Sequence, residues 1–280
     1  MSKKSIIWRK CIFSGLTLVL FALLCVPVSA DGGSETVVGT IPYLLTATSD
    51  KNALYEECSL GIACADSIRI ALNTDFAIVN GGDLTGNLPP GELSRDDFNS
   101  AIRPDMILAV AEISVSELRN ILESALSHVV LTDDRAYDVQ HSKNGAFPHI
   151  SGFELAYDPA APIGQRVVWI KYQGDKLDLA DTERRFTLAA TEYMLSGGYG
   201  LPAAPEAKAA EMTLRTAMEQ YIRSGMGDYS TPARRITVIG LKITSYQKTT
   251  ILLIIAIGCI FIALLYPFRF SFRRLLKKDK

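Results

Sequence analysis

Two glycine-rich loops are the segments of this sequence best suited to hold a ligand. The first reads Asn-Gly-Gly-Asp at residues 80–83, and the second reads Gly-Gly-Tyr-Gly at residues 197–200. Each follows an apolar run that predicts a strand. Paired glycines allow positive φ and a close approach of the backbone to a ligand, although a plain turn is their more common use. Two such loops, each after a strand, indicate a shared pocket as the alternative to two plain turns.

Residue types that catalyse hydrolysis or bind metals are not grouped in this sequence. Hydrolytic metal sites need clustered histidines and carboxylates, but His128, His141 and His149 occur without an Asp-x-His, Asn-His or His-x-x-x-His context. We interpret each histidine as a surface or loop residue rather than a ligand. The sequence also lacks a Gly-x-Ser-x-Gly elbow and a phosphate-binding loop with its lysine. It therefore predicts no catalytic residue, no metal ligand and no cofactor.

The elements that must position the two loops interleave without a strict βαβ repeat, which indicates one α+β domain. Ser114–Glu117 has the Ser-x-x-Glu pattern of a capping box and predicts a helix start. A Gly-Asp pair within residues 172–176 predicts a turn between two strands. The other predicted elements are an entry strand over 34–45, a helix over Leu54–Leu72, a strand into Asn80, a strand over Met106–Ile113, a polar loop over Leu131–Asn144, strands over 150–157, 166–172, 176–179 and 185–191, and an amphipathic helix over 206–225.

The first thirty residues predict a secretory signal peptide. Four basic residues precede an apolar run over 11–26, and Pro27 and the small-residue triplet 28–30 follow it. This is the layout of a cleaved signal sequence, so we expect cleavage after Ala30. An uncleaved anchor is the alternative, because the apolar run is long.

A second apolar segment predicts a transmembrane helix over residues 249–268. Residues 251–268 carry no charge, and a helix of this length rises roughly 27 Å, close to the bilayer core thickness of about 30 Å. The basic residues within 269–280 predict a cytoplasmic tail. A buried core helix is the alternative, but it does not explain the basic tail. We therefore expect residues 31–243 to form an extracytoplasmic domain of a single-pass membrane protein, exposed at the cell surface.

The predicted extracytoplasmic part is acidic. Residues 31–268 contain 19 Lys or Arg residues and 29 Asp or Glu residues, a net charge of −10. Such a surface repels a polyphosphate backbone. We therefore expect no nucleic-acid partner.

Only two of the five cysteines, Cys58 and Cys64, lie within the expected domain over residues 31–243. A spacing of six residues places them on different faces of a helix, too far apart for a bridge. We expect both to be small buried thiols, and a short-loop disulfide is the alternative.

Seven segments, in their order and spacing, resemble the C-terminal domain of the 5'-nucleotidase family across about residues 37–240. They read VVGTIPYLL, EECSLGIACADSIR, FAIVNGGDLTGNLPPGELSRDDF, MILAVAEISVSELRNILESAL, HISGFELAYDPAAPIGQRVV, LAATEYMLSGGYG and AMEQYIRSG followed by ARRITV. The resemblance implies a four-layer α/β/β/α arrangement that recognises the nucleoside part of a substrate. It also implies that the two catalytic metals belong to a separate N-terminal metallophosphoesterase domain, which we expect this chain to lack.

The resemblance implies a nucleoside pocket with altered contacts. Asn80 matches the family's base-contacting asparagine, whereas Thr85 and Glu56 stand at the positions of arginines. Asp105 and Leu201 stand at the positions of two aromatic residues that hold the base. The loss of stacking and of positive charge predicts weaker nucleotide binding. The implied ligand-binding residues are Asn80, Gly81, Gly82, Asp83, Thr85, Asp105, Gly197, Gly198, Tyr199 and Leu201.

These observations favour a membrane-anchored module without catalytic activity of its own, which recognises a nucleoside-like ligand or serves as a scaffold. One alternative is a split enzyme, in which this chain gives substrate specificity to a metallophosphoesterase made as a separate chain. Another alternative is a sensor for a nucleoside or a different small polar ligand. The expected partners are the membrane and, in these alternatives, a metallophosphoesterase or a nucleoside-like molecule.

Overall fold

The computed structural model describes residues 37–48, 52–142 and 144–241. The predicted signal peptide, the predicted membrane helix over 249–268 and the basic tail lie outside these residues. Within the described ranges, no helix is long and apolar enough to cross a bilayer.

The chain forms short strands and helices joined by tight turns. The strands are β1 Gly39–Ile41, β2 Phe76–Asn80, β3 Gly91–Leu93, β4 Ile107–Ser114, β5 Pro148–Ser151, β6 Glu154–Tyr157, β7 Val167–Tyr172, β8 Asp175–Lys176, β9 Arg185–Thr191, β10 Lys208–Thr213 and β11 Ile236–Val238. The helices are α1 Ser59–Ala71, α2 Arg95–Ala101, α3 Val115–Leu126, α4 Glu192–Leu195 and α5 Leu214–Arg223, and 3-10 turns cover Gly81–Asp83 and Gly198–Gly200. The predicted capping box at the start of α3 and the predicted turn between β7 and β8 are confirmed.

The strand order brings the two glycine-rich loops to the same edge of one sheet. A five-stranded sheet has the order β10-β4-β9-β2-β5, a four-stranded sheet has the order β11-β6-β7-β8, and β1 pairs with β3. Strands β2 and β9 are parallel neighbours. One glycine-rich loop directly follows β2, and α4 and the other loop follow β9. Because parallel strands end at a common edge, where open sheets form ligand crevices, this edge is the natural place for a site.

Two hydrophobic cores lie on opposite faces of the five-stranded sheet. Phe76 and Ile78 of β2 belong to the first core, together with α3 and the four-stranded sheet. Ala77 and Val79 belong to the second core, together with α1, α2 and α5. Successive residues of β2 thus face opposite cores, because side chains alternate between the two faces of a strand. The described residues thus form a mixed α/β fold. Helix α3 contacts strands of both sheets, and the four-layer order stays a prediction.

The predicted strand over 150–157 is two strands that belong to different sheets. It breaks at Gly152, which has φ +87°, and a Cβ there would lie 2.0 Å from the carbonyl oxygen of Asp75. Only glycine tolerates both this conformation and this close approach. Strand β5 therefore stays in the five-stranded sheet, and β6 enters the four-stranded sheet.

The predicted helix over 206–225 is wrong in its first half. Residues Lys208–Thr213 form β10, an edge strand that pairs with β4 through an irregular register. The helix begins only after Thr213, whose hydroxyl accepts a hydrogen bond from the backbone N–H of Thr216 over 3.2 Å. Pairing with the sheet edge overrides the helical propensity of this segment, because β4 provides hydrogen-bond partners for the backbone groups on one side of the strand.

Cys58 and Cys64 are both buried and form no disulfide, as predicted. The Cys58 sulfur caps α1 by accepting a hydrogen bond from the backbone N–H of Gly61 over 3.4 Å. This cap explains why the helix starts at Ser59 rather than at Leu54. Residues 54–58 instead form turns and irregular backbone before it.

The interpretation of His149 as a surface or loop residue is wrong. Its side chain is fully buried in β5, and Nε2 donates to the carbonyl oxygen of Ala53 over 3.1 Å. Burial lowers the pKa of His149 to about 4, although the hydrogen bond to Ala53 opposes this shift. Gly61 of α1 packs against the ring, since a Cβ there would lie 2.2 Å from it. The imidazole is a neutral packing element that joins β5 to α1.

An ion pair between Arg235 and Asp66 connects the segment before β11 to α1. Both terminal nitrogens of Arg235 donate to the Asp66 carboxylate, over 2.8 and 2.7 Å. The hydroxyls of Ser151 and Tyr229 donate to the same carboxylate, over 2.5 Å each. Burial alone would raise the pKa of Asp66, but Arg235 and the two hydroxyl donors together lower it. Four charge-assisted bonds therefore hold three separate chain segments on one helix.

Candidate functional site

The loop after β2 is fixed by hydrogen bonds to the segment before β5. The Gly81 N–H donates to the carbonyl oxygen of Phe147 over 2.8 Å, and the Gly82 N–H donates to that of Gly145 over 2.9 Å. A Cβ on Gly81 would lie 1.9 Å from the carbonyl oxygen of Ala53. The absence of a side chain lets the loop pack between two neighbouring segments.

Two side chains of this loop are buried with unpartnered polar atoms. Asn80 is fully buried, and neither its amide oxygen nor its amide nitrogen has a hydrogen-bond partner among the described residues. Asp83 is 1% exposed, and its Oδ2 has none either. An unpaired buried polar group costs about 1–3 kcal/mol, so such groups call for an explanation. Their concentration in four consecutive residues marks a place where a ligand's polar groups would be stabilised.

The Asp83 carboxyl group lies where its charge is disfavoured. Burial raises its pKa to about 6. The Tyr199 hydroxyl, which donates to Oδ1 over 3.3 Å, and the positive charge of Arg103 both oppose this shift. Behind the loop, burial and the charges of Cys58 and Asp83 raise the pKa of the Cys64 thiol well above its ordinary value. The pKa of the Asp83 carboxyl is therefore closer to neutral pH than that of an ordinary carboxyl group.

Tyr199 covers this loop from the second glycine-rich segment. A Cβ on Gly82 or on Gly145 would lie 2.4 Å from the phenol of Tyr199, so the ring packs directly on their backbone. Tyr199 itself has φ +57°, an uncommon conformation for a residue other than glycine. Its neighbours Gly197 and Gly200 also have positive φ, +99° and +75°. The second loop is thus shaped to place one aromatic ring over the first.

Tyr193 connects Tyr199 to a surface depression of about 260 Å³. The two rings meet edge to face with centroids 5.1 Å apart, and Tyr193 is 50% exposed. The residues that line the depression are Asp105, Met106, Ile107, Thr191, Glu192, Tyr193 and Ser196. This described lining holds two carboxylates and an aromatic ring but no Lys or Arg side chain. It suits a flat ligand that is neutral or positively charged better than one that carries a phosphate.

Most of the predicted ligand-binding residues lie at this edge of the sheet. Tyr199, with Gly197 and Gly198, reaches the loop over residues 80–83, and Asp105 lies in the depression beside Tyr193. Leu201 is 5% exposed within the first core. The hydroxyl of exposed Thr85 donates to the carbonyl oxygen of Ser100 over 2.7 Å. Leu201 is therefore not accessible to a ligand, whereas the half-exposed ring of Tyr193 in the depression is.

Sequence reasoning missed Tyr193, Gly145 and Arg103. Tyr193 stands two residues after β9, in the run that leads into the second glycine-rich loop, and that position was the available signal. Gly145 lies in a polar segment, and Arg103 lies in the connection after α2. Neither has a local pattern that indicates contact with a loop distant in sequence.

No group of three or more His, Cys, Asp or Glu side chains among the described residues could hold a metal ion. His128 and His141 are exposed, as predicted, and His141 pairs with Asp138 over 2.8 Å. The expected absence of a resident metal or cofactor stays a prediction.

The family model of the 5'-nucleotidase C-terminal domain matches residues 37–206 of this chain. Among curated proteins, the chain is similar to the trifunctional nucleotide phosphoesterase protein YfkN of Bacillus subtilis (strain 168). The two are 25% identical over 163 residues, which cover 56% of this chain and 10% of that protein.

Solved structures share the fold. A 5'-nucleotidase precursor from Thermus thermophilus superposes with a TM-score of 0.62 at 18% identity and covers 84% of this chain and 44% of its own. A putative 5'-nucleotidase from Staphylococcus aureus gives a TM-score of 0.59 at 16% identity and covers 73% of this chain and 41% of its own. The chain thus spans one tenth of the curated relative and less than half of each solved chain. Because the family model covers more than half of the sequence, this chain belongs to the family of 5'-nucleotidase C-terminal domains.

Proposed function

We propose that this domain is a recognition module for a nucleoside-like ligand and does not hydrolyse nucleotides by itself. The observation that carries the proposal is the half-exposed ring of Tyr193, which lies in a depression joined through Tyr199 to the polar loop over residues 80–83. Stacking of a base on an aromatic ring contributes about 1–3 kcal/mol in single-strand binders. The carboxylates of Asp105 and Glu192 line the same depression and disfavour a phosphate group.

Calorimetry with the full-length protein in detergent micelles tests this function. We expect adenosine or cytidine to bind more tightly than its 5'-monophosphate. The Tyr193→Ala variant should bind the nucleoside about 5- to 100-fold more weakly, which corresponds to the loss of stacking. Ile163→Ala, a truncation of a side chain that is 69% exposed elsewhere on the surface, is the matched control.

Two outcomes would contradict the proposal. The absence of a binding signal for every nucleoside at millimolar concentration would contradict recognition. Sustained release of phosphate from nucleotides in the presence of Mg²⁺, Mn²⁺ or Zn²⁺ would contradict the lack of catalysis.

We propose further that residues 249–268 anchor the domain in a membrane with residues 31–243 outside the cytoplasm. Support comes from the uncharged stretch over 251–268 and from the basic residues that follow it. Extraction with alkaline carbonate should leave the chain in the membrane fraction, and removal of residues 249–280 should release it. Recovery of the intact chain in the soluble fraction would contradict the anchor.

A split enzyme is the second candidate. It is favoured by one observation: the two solved chains described above, which share this fold, are named as 5'-nucleotidases. In this case the domain would select substrates for a metallophosphoesterase on a different chain. Co-purification should then yield such a partner, with phosphate release that depends on both proteins. Isolation of the domain without any metallophosphoesterase would count against this candidate.

A further inference from the structure

We propose that Tyr199 is a latch that closes the loop over residues 80–83 and must swing away before a ligand in the depression can reach Asn80 and Asp83. The inference rests on the proposed function for the identity of the ligand. The movement of the latch is a property of the protein alone, and it can be measured without any ligand.

The first argument is the position of the ring. The phenol of Tyr199 packs on the backbone of Gly82 and Gly145, where there is no room even for a methyl group. Asp83, which accepts a hydrogen bond from the hydroxyl of this ring, is 1% exposed, and Asn80 of the same loop is 0% exposed. The unpartnered polar atoms of both residues are therefore shielded from solvent in the closed form.

The second argument is the weakness of the contacts that hold the ring. The Tyr199 hydroxyl donates to Asp83 over 3.3 Å, and the Tyr199 N–H donates to the Tyr193 hydroxyl over 3.4 Å. Both distances lie beyond the usual range for hydrogen bonds. The remaining contact between the two tyrosines is an edge-to-face ring pair, which contributes modestly. The latch can therefore open without loss of a strong bond.

The third argument is the backbone that carries the ring. Gly197 and Gly200 flank the turn with positive φ, and a Cβ on Gly200 would meet open space. Glycines of this kind can absorb the change in φ and ψ that a moving segment requires. Tyr199 is itself in the left-handed region, so movement of the turn relieves an uncommon conformation.

Opening the latch is linked to the charge of Asp83. With the ring in place, burial raises the pKa of this carboxyl to about 6, whereas a solvated carboxyl has a pKa near 3.9. The groups that face it are the Tyr199 hydroxyl, the Arg103 guanidinium and the thiol of Cys64 on α1. Burial raises the pKa of Asp83 into the range between pH 4 and pH 7, whereas it raises the pKa of the Tyr199 hydroxyl and of the Cys64 thiol above their ordinary values. The closed form thus binds a proton more tightly, and rising pH favours the open form.

Hydrogen–deuterium exchange of the full-length protein tests the latch. Protection factors, corrected for the intrinsic pH dependence of exchange, report the open population at the amide of Tyr199, which donates to the Tyr193 hydroxyl in the closed form. Between pH 5 and pH 7.5 we expect protection of this amide to fall by about tenfold, as the two pKa values require. Peptides from α3 should show no matching change and serve as the internal control.

Three variants separate the latch from other motions. Asp83→Asn is a neutral isostere and should keep protection high at both pH values. Tyr199→Phe retains the ring without its hydroxyl and should lower protection by at most about fivefold, because the hydroxyl's bond to Asp83 is long. Tyr199→Ala removes the cover and should lower protection at every pH. If Tyr199→Ala does not fold, Tyr199→Phe and Asp83→Asn still decide the question.

The outcomes for the latch and for the proposed function are distinct. Protection that does not change with pH in the unmodified protein, or that changes equally in Asp83→Asn, would overturn the latch even if nucleosides bind. The expected exchange pattern without nucleoside binding would support the latch and refute the proposed function. Nucleoside binding that is equally strong at pH 5 and pH 7.5 would also contradict the latch.

Discussion

Replacement of Arg235 by alanine is expected to lower the free energy of unfolding by about 3 kcal/mol, because it leaves the Asp66 carboxylate buried and without its countercharge. The side chains of Asp66 and Arg235 are only 12% and 24% exposed, so water compensates little for the loss. Because the folded-state pKa of Asp66 lies below its ordinary 3.8, this stabilisation is complete above pH 3.8 and disappears as the pH falls through the folded-state value. Chemical denaturation followed by tryptophan fluorescence measures the change.

Two further variants decide whether the ion pair is responsible. Arg95→Ala breaks a pair with Glu219 in which the arginine is 48% exposed, and it should cost less than about 1 kcal/mol. Asp66→Asn, added to Arg235→Ala, replaces the uncompensated charge by a neutral amide and should recover part of the loss. A stability of Arg235→Ala within about 1 kcal/mol of the unmodified protein would show that the pair is not a major stabilising contact.

The second large effect concerns the pH dependence of stability and is revealed by Asp83→Asn. The folded-state pKa of Asp83 is raised to about 6, so folding takes up a proton there and stability falls as pH rises from about 4 to 6. The folded-state pKa of His149 is lowered to about 4, so folding releases a proton and stability rises as pH rises from about 4 to 6.5. Each contribution amounts to about 3 kcal/mol.

These opposite contributions should nearly cancel in the unmodified protein, which we expect to have similar stability at pH 4.5 and pH 7. Asp83→Asn removes only the first contribution. The variant should therefore match the unmodified protein near pH 4 and exceed it by about 3 kcal/mol at pH 7.5. Denaturation curves across this range measure the difference. Asp133→Asn, at an exposed site, is the control. A stability of Asp83→Asn that changes with pH in the same way as that of the unmodified protein would contradict the expectation.

The local parts of the fold were predictable because they depend on neighbouring residues. The capping box at Ser114–Glu117 satisfies backbone donors within one turn of helix, and the turn between β7 and β8 depends on Gln173 and Gly174 at positive φ. Residue patterns of this kind report the local backbone directly. The two glycine-rich loops could be identified for the same reason.

The misassigned elements depend on partners distant in sequence. Residues Lys208–Thr213 follow a helical pattern, but the open edge of β4 gives them backbone partners that a helix would otherwise provide internally. His149 has a polar side chain in a short strand, and only the packing of α1 on β5 shows that it is buried. Burial of this kind is set by the whole domain rather than by local sequence.

The sequence by itself determined the family, the two glycine-rich loops and the residues from which a ligand site is built. Tertiary structure alone decided that β2 and β9 are parallel neighbours, which places both loops at one edge, and that the ring of Tyr199 packs on the backbone of Gly82 and reaches Asp83. It also decided that Leu201 is buried, whereas the ring of Tyr193 is presented to the depression. The physical reason is that pairing of strands and desolvation of side chains depend on residues more than one hundred positions apart, and no local pattern encodes them.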